Sequence, residues 1–172
     1  MKTLIILIFC FVSAKSYSQF DKPFSLITSV NLDFKLKGLA TNETGVGINI
    51  DAILFAKHKL QLLLQTSADQ FIGDKSLIID AQGRENKSAT IYTIHAGPQY
   101  FVSKRIALST TIGPAWHSIQ AIGFSHDLGF KFAATGFLGP KRKLVTRIFM
   151  VNIIKENLNV RYFGLQLGFR FS

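Results

Sequence analysis

Tyr162-Phe163-Gly164-Leu165-Gln166-Leu167-Gly168-Phe169-Arg170-Phe171 alternates without a break. Phe163, Leu165, Leu167, Phe169 and Phe171 fall on one side, and Tyr162, Gly164, Gln166, Gly168 and Arg170 on the other. Side chains repeat every two residues in a strand and every 3.6 in a helix, so this segment reads as a two-faced β-strand. The same period returns upstream. Phe24, Leu26, Thr28, Val30, Leu32, Phe34 and Leu36 alternate with Ser25, Ile27, Ser29, Asn31, Asp33 and Lys35. Further runs follow at 46–55, 60–67, 92–99, 106–113, 127–135 and 144–150, so eight strands are expected. The longer ones reach the length of roughly 10 residues that a tilted strand needs to cross a bilayer.

The connections alternate in length. Ala56–Lys59, Val102–Arg105 and Leu138–Arg142 read as tight turns. Lys37 to Gly45, Asp69 to Lys87, Ala115 to Gly123 and Asn152 to Asn159 read as longer loops. Short turns on one side and long loops on the other are the habit of up-and-down membrane barrels. An even strand number then puts both termini at the turn end, expected to be periplasmic.

The chain has 172 residues, the size of one domain. It opens with Met1-Lys2-Thr3 and an apolar run from Leu4 to Val12, followed by Ser13, Ala14, Ser16 and Ser18. A basic start, a short apolar run and small residues make a secretory signal, expected over 1–18 with cleavage before Gln19. Ala14 is an alternative cleavage point. The barrel domain is then 19–172. Cys10, the sole cysteine, lies within the apolar run after Phe9, so neither a lipoprotein anchor nor a disulfide is expected. The net charge of +10 falls to +8 without Lys2 and Lys15. An exported basic chain is expected to meet lipid phosphates or envelope partners, not nucleic acid. Beyond the signal no apolar stretch approaches the roughly 20 residues of a membrane helix. Yet 48 % of the chain is hydrophobic, so these side chains must face a core or lipid.

Which face meets lipid follows from room. An eight-stranded barrel has space inside only for side chains. Gly47, Gly97, Gly113, Gly129, Gly164 and Gly168 share the more polar face and suit a crowded interior, so the Phe, Leu and Ile face is expected outside. The inward set then holds Asp33, Asp51 and Asp127 against Lys35, Lys131, Arg147 and Arg170, expected to pair with one another and plug the lumen. Tyr92, Tyr100, Phe101, Trp116, Phe137, Phe163, Phe169 and Phe171 are expected to flank the lipid band. Pro98 and Pro114, which lack a ladder donor, are expected near strand ends at the rims. Lys57, Lys59, Lys104, Arg105, Lys141, Arg142 and Lys143 gather in the tight turns as a basic periplasmic rim.

The segment Tyr162 to Ser172 resembles the C-terminal targeting signal of outer-membrane barrels, with Ser172 in place of a terminal aromatic. Tyr100-Phe101-Val102-Ser103-Lys104-Arg105-Ile106-Ala107-Leu108 resembles the turn segment of the generic outer-membrane β-barrel domain family, PorT-like barrels included. The likeness spans the mature chain. It implies an all-β, eight-stranded antiparallel transmembrane barrel, insertion by the barrel-assembly machinery and residence in the outer membrane of a Gram-negative envelope.

No catalytic chemistry stands out. His58, His95, His117 and His126 lack a second ligand at metal spacing, and no nucleotide-binding loop is present. Ser125-His126-Asp127 invites comparison with barrel-type lipid A deacylases. Neighbouring residues of one strand diverge to opposite faces, however, so His126 and Asp127 cannot pair within it. The expectation is a non-enzymatic barrel without cofactor, structural or accessory to an envelope complex. A narrow transporter is the alternative, and a lipid A-modifying enzyme ranks third.

Overall fold

The structure, a computed structural model, describes residues 23–37, 44–72, 88–119, 123–154 and 159–171. The segment read as a signal lies outside them. Eight strands follow in order: β1 Phe24–Lys37, β2 Thr44–Leu54, β3 Leu60–Ile72, β4 Ser88–Phe101, β5 Ile106–Ile119, β6 Gly123–Leu138, β7 Leu144–Ile154 and β8 Val160–Phe171. Each pairs antiparallel with the next, and β1 closes the sheet on β8, from Leu26 opposite Phe171 to Phe34 opposite Phe163. The result is a closed antiparallel barrel with no helix among the described residues.

The alternation in the sequence becomes the wall's two faces. In β1, Ser25, Ile27, Ser29, Asn31 and Asp33 are buried inside, while Phe24, Val30 and Leu32 are exposed outside. The same parity holds through β8, where Tyr162, Gly164, Gln166 and Arg170 point inward. At least 28 large apolar side chains of the described residues are exposed. The outward face carries no acidic residue among those described, and its bases Lys37 and Arg161 are register partners at the loop end.

The strands run further than the alternation alone marks. β3 continues to Ile72 and β5 to Ile119, so Asp69 lies inside a strand and not at the start of a loop. Its side chain is buried. Asp69 and His117 near these ends face the interior, which is why the stretch resembles loop composition in the sequence. Phe101 and Phe137 depart from the expected aromatic belt. They share parity with Gln99 and Thr135, point inward, and stack on each other at 5.2 Å between ring centres. Residue type suggested the rim, but strand parity puts them in the lumen.

Pro98 and Pro114 also lie within β4 and β5 rather than at the rims, both on the outer face. The β4–β5 ladder skips between Thr93 and Ala96, and again between Ala96 and Gln99. Proline has no N–H to give a facing carbonyl. At both breaks the residue before the proline is glycine. A Cβ on Gly97 would lie 2.1 Å from the Thr110 carbonyl oxygen, and one on Gly113 2.0 Å from that of Ile94. The strands approach there so closely that only glycine fits.

The obstruction is backbone and cannot rotate away. Gly97→Ala and Gly113→Ala should each destabilise the barrel by about 2 kcal/mol or more. Gly136→Ala, which would meet the movable Thr146 hydroxyl at 2.9 Å, should cost much less. Heat-modifiable gel migration across a denaturant series measures all three. Equal effects would discount the close approach.

Candidate functional site

The interior is the most chemically organised part of the molecule, and it is built in three layers. At the turn end Ile27, Ile53, Ala56, Leu63, Phe101, Ala107, Phe137 and Val145 form an apolar plug. At the loop end Phe71, Ala89, Ile91, Ala115, Ala133, Phe149, Val151, Ile153, Val160 and Tyr162 form another. Between them lies a polar layer. The arrangement follows from position along each strand. Most plug residues lie toward strand ends, although Phe149 is mid-strand, and the inward positions between supply Asn, Gln, Ser, Thr and charge, joined at the turn end by the Gln61–Gln99 pair.

At the centre Arg147 Nη1 and Asp51 Oδ2 are 2.6 Å apart, and both side chains are fully buried. Arg147 Nε donates to Thr135 Oγ1 at 2.9 Å, and Nη1 also to Gln166 Oε1 at 3.3 Å. Gln65 Nε2 donates to the other Asp51 oxygen at 3.0 Å, and Thr111 Oγ1 donates to Gln65 Oε1 at 3.1 Å. Gln166 in turn donates to Ser29. A buried ion pair loses hydration on both partners, and such surrounding hydrogen bonds are what offset that loss.

A second cluster surrounds Asp69, nearer the loop end. Tyr162 donates its hydroxyl to Asp69 Oδ2 at 2.9 Å, Ser67 donates to the same oxygen at 3.0 Å, and Asn31 Nδ2 donates to Oδ1 at 3.0 Å. Asn31 Nδ2 also reaches Asp33 Oδ2, and Asn49 Nδ2 donates to Asn31 Oδ1. Lys131 belongs to this cluster. Its Nζ donates to Asn49 Oδ1 at 3.2 Å and lies 4.2 Å from the centre of the Phe149 ring. Glycines make room for these side chains. A Cβ on Gly47 would meet Asp69 Oδ1 at 2.0 Å, and one on Gly164 would meet Asp33 Oδ1 at 2.4 Å.

Of the seven charges assigned to a lumen network, the structure pairs Asp51 with Arg147 and links Asp33 to Lys131 through Asn31 and Asn49. It separates the other three. Lys35 is half-buried beside the β1–β8 register shift at the loop end. Asp127 faces His117, with Nδ1 and Oδ2 3.3 Å apart, across the β5–β6 pair. The in-strand rule correctly sets His126 and Asp127 apart, since His126 is exposed outside. The partner comes from the neighbouring strand, which only the register reveals. Arg170 instead ties down the β6–β7 turn. Its Nε donates to the Arg142 carbonyl at 3.0 Å and its Nη2 to that of Lys141 at 2.9 Å, holding Arg142 in a left-handed conformation at φ 51°. Asp69 and Tyr162 were absent from the expected network, although continued alternation past Ser67 would have found the aspartate.

The seven bases of the expected rim all lie in or beside the three turns. Lys59 Nζ sits 4.8 Å from the centre of the Tyr100 ring, and Lys143 Nζ 5.6 Å from that of Phe169. Among the described residues no group of three or more His, Cys, Asp or Glu side chains is placed to hold a metal.

A closed eight-stranded wall with an apolar exterior and a packed interior is the architecture of small outer-membrane barrels. The chain has the fold of neisserial surface protein A, with 16 % identity and a TM-score of 0.63 over 87 % of this chain and 96 % of that one. It likewise matches the Yersinia pestis outer membrane protein Ail in a phospholipid bilayer nanodisc, at 13 % identity, TM-score 0.60, and 87 % and 100 % coverage. The N-terminal β-barrel domain of Pseudomonas aeruginosa OprF aligns at 13 % identity, TM-score 0.56, and 86 % and 97 % coverage. Neither a protein-family model nor a curated protein sequence matches the chain.

Removing one partner of a buried ion pair strands the other. Arg147→Met and Asp51→Leu should therefore each cost about 3–5 kcal/mol, and the double variant less than their sum. Guanidinium unfolding in phospholipid vesicles, followed by Trp116 fluorescence, measures the cycle. Strict additivity would show that the pair is not coupled.

Proposed function

We propose that this chain is an integral outer-membrane barrel without catalytic activity, structural or accessory to a larger envelope assembly, with a lumen closed to solutes. The observation that carries the reading is the outer face. A water-soluble monomer rarely exposes an apolar patch beyond a few hundred Å². Here the described outward positions form a belt dominated by Phe, Leu, Ile and Val, with threonines such as Thr28, Thr66 and Thr110 among them and no acidic residue. Hydrocarbon is the solvent that such a belt suits, and closure of β1 on β8 leaves no strand edge unpaired within it. The interior argues against a conduit, because apolar plugs bracket the polar layer at both ends. The neighbours in fold are outer-membrane and surface proteins, which supports the same location.

Residues 1–18 are proposed to be removed on export, leaving 19–172 as the mature barrel with its turn end toward the periplasm. Phe163, Leu165, Leu167, Phe169 and Phe171 form the outward side of β8, the strand that closes the barrel, and are proposed as the signal read by the insertion machinery. Kinship with PorT-like barrels rests on the residue pattern of the turn and the last strand.

Reconstitution tests the reading. The mature chain should require detergent for extraction from outer-membrane fractions and should produce no steady single-channel conductance in planar bilayers. Reproducible open steps would favour the narrow transporter instead. Co-purification from solubilised outer membrane identifies the assembly it serves.

A further inference from the structure

We propose that the turn end of the barrel is a ring-shaped binding surface for anionic phospholipid headgroups, a role that rests on the barrel spanning a bilayer. Each short turn repeats one composition. Exposed Phe55 accompanies Lys57 and Lys59, exposed Val102 accompanies Lys104 and Arg105, and exposed Leu138 precedes Lys141 and Lys143. No acidic residue occurs in 55–59, 102–105 or 139–143. An apolar anchor beside two bases suits the boundary where acyl chains give way to phosphate.

The placement of the lysines selects lipid over a protein beneath the mouth. Lys59 and Lys143 lie against Tyr100 and Phe169, rings exposed on the outside of the wall at the edge of the apolar belt. Both ammonium groups are thereby held at the flank of the barrel, at the level of the aromatic girdle where headgroups lie. Behind them the mouth is filled by the Phe101–Phe137 stack and by Arg170 on the turn carbonyls. The bases also recur at the β2–β3, β4–β5 and β6–β7 turns, and so occupy every side of the turn end except the β8–β1 seam. A leaflet touches the whole circumference, whereas a docked protein engages one arc. Lysine supplies point charges to a phosphodiester, and Arg105 offers a forked donor.

Native mass spectrometry of the mature chain released from nanodiscs of equimolar phosphatidylethanolamine and phosphatidylglycerol tests this. Retained phosphatidylglycerol should exceed phosphatidylethanolamine by about five-fold or more, the factor that one basic residue carries at a charged surface. The combined variant Lys57→Gln, Lys59→Gln, Lys104→Gln, Arg105→Gln, Lys141→Gln and Lys143→Gln should lose the preference, while Lys37→Gln with Arg161→Gln should keep it. Should the six-fold variant fail to fold, high salt applied to the wild type should remove the preference in its place. Equal retention of both lipids by the folded, inserted barrel would overturn the proposal and leave the membrane reading intact. A chain that stays in solution without detergent would overturn both. Displacement of the lipid by inorganic phosphate would reassign the ring to free anions, and capture of an acidic protein without lipid enrichment would reassign it to protein docking.

Discussion

Hydrocarbon offers no water to satisfy a backbone amide, so each strand within it needs a hydrogen-bonded neighbour on both sides. In this chain that demand is met where β8 returns to β1, over the register from Leu26–Phe171 to Phe34–Phe163. The seam joins residues about as distant in sequence as the fold allows. Closure at eight strands then fixes the interior at a width that side chains alone fill. The outward belt, the inward glycines and the layered lumen are consequences of that closure.

A narrow interior holds charge only where partners are within reach. Arg147 and Asp51 hold each other and are held by Thr135, Gln65 and Gln166, with Arg147 Nη2 alone of the guanidinium nitrogens left without a hydrogen-bond partner among the described residues. Asp69 is satisfied by hydroxyl and amide donors from β1, β3 and β8. Apolar clusters flank these contacts at both ends, and a low local dielectric strengthens hydrogen bonds of this kind. The polar layer also joins strands that do not touch in the sheet: Arg147 of β7 holds Asp51 of β2 across the lumen. It thus braces the barrel's cross-section as well as filling it.

The strands and the inside-outside assignment were legible because alternation depends on each residue and its neighbours alone. What lay beyond the sequence depends on register and length. Arg147 and Asp51 are 96 residues apart, and His117 meets Asp127 only through the β5–β6 pairing. Asp69 reads as the start of a loop because an acidic residue interrupts an apolar pattern, although its parity is the inward one. Phe101 and Phe137 show the reverse error: aromatic identity pointed to the rim while parity pointed inside. The turn composition of the basic rim was plain in the sequence. The folding of Lys59 and Lys143 onto outward rings was not, since it needs the positions of Tyr100 and Phe169 on the wall.

Adjacent residues of one strand face hydrocarbon and protein interior in turn. Ile148 is 62 % exposed on the outer wall and Phe149 2 % exposed in the lumen. With Trp116→Phe as background, Ile148→Trp and Phe149→Trp can be compared in vesicles of brominated phospholipid. Tryptophan at 148 should be strongly quenched, and tryptophan at 149 only slightly. Quenching at 149 with none at 148 would mean that the faces are reversed.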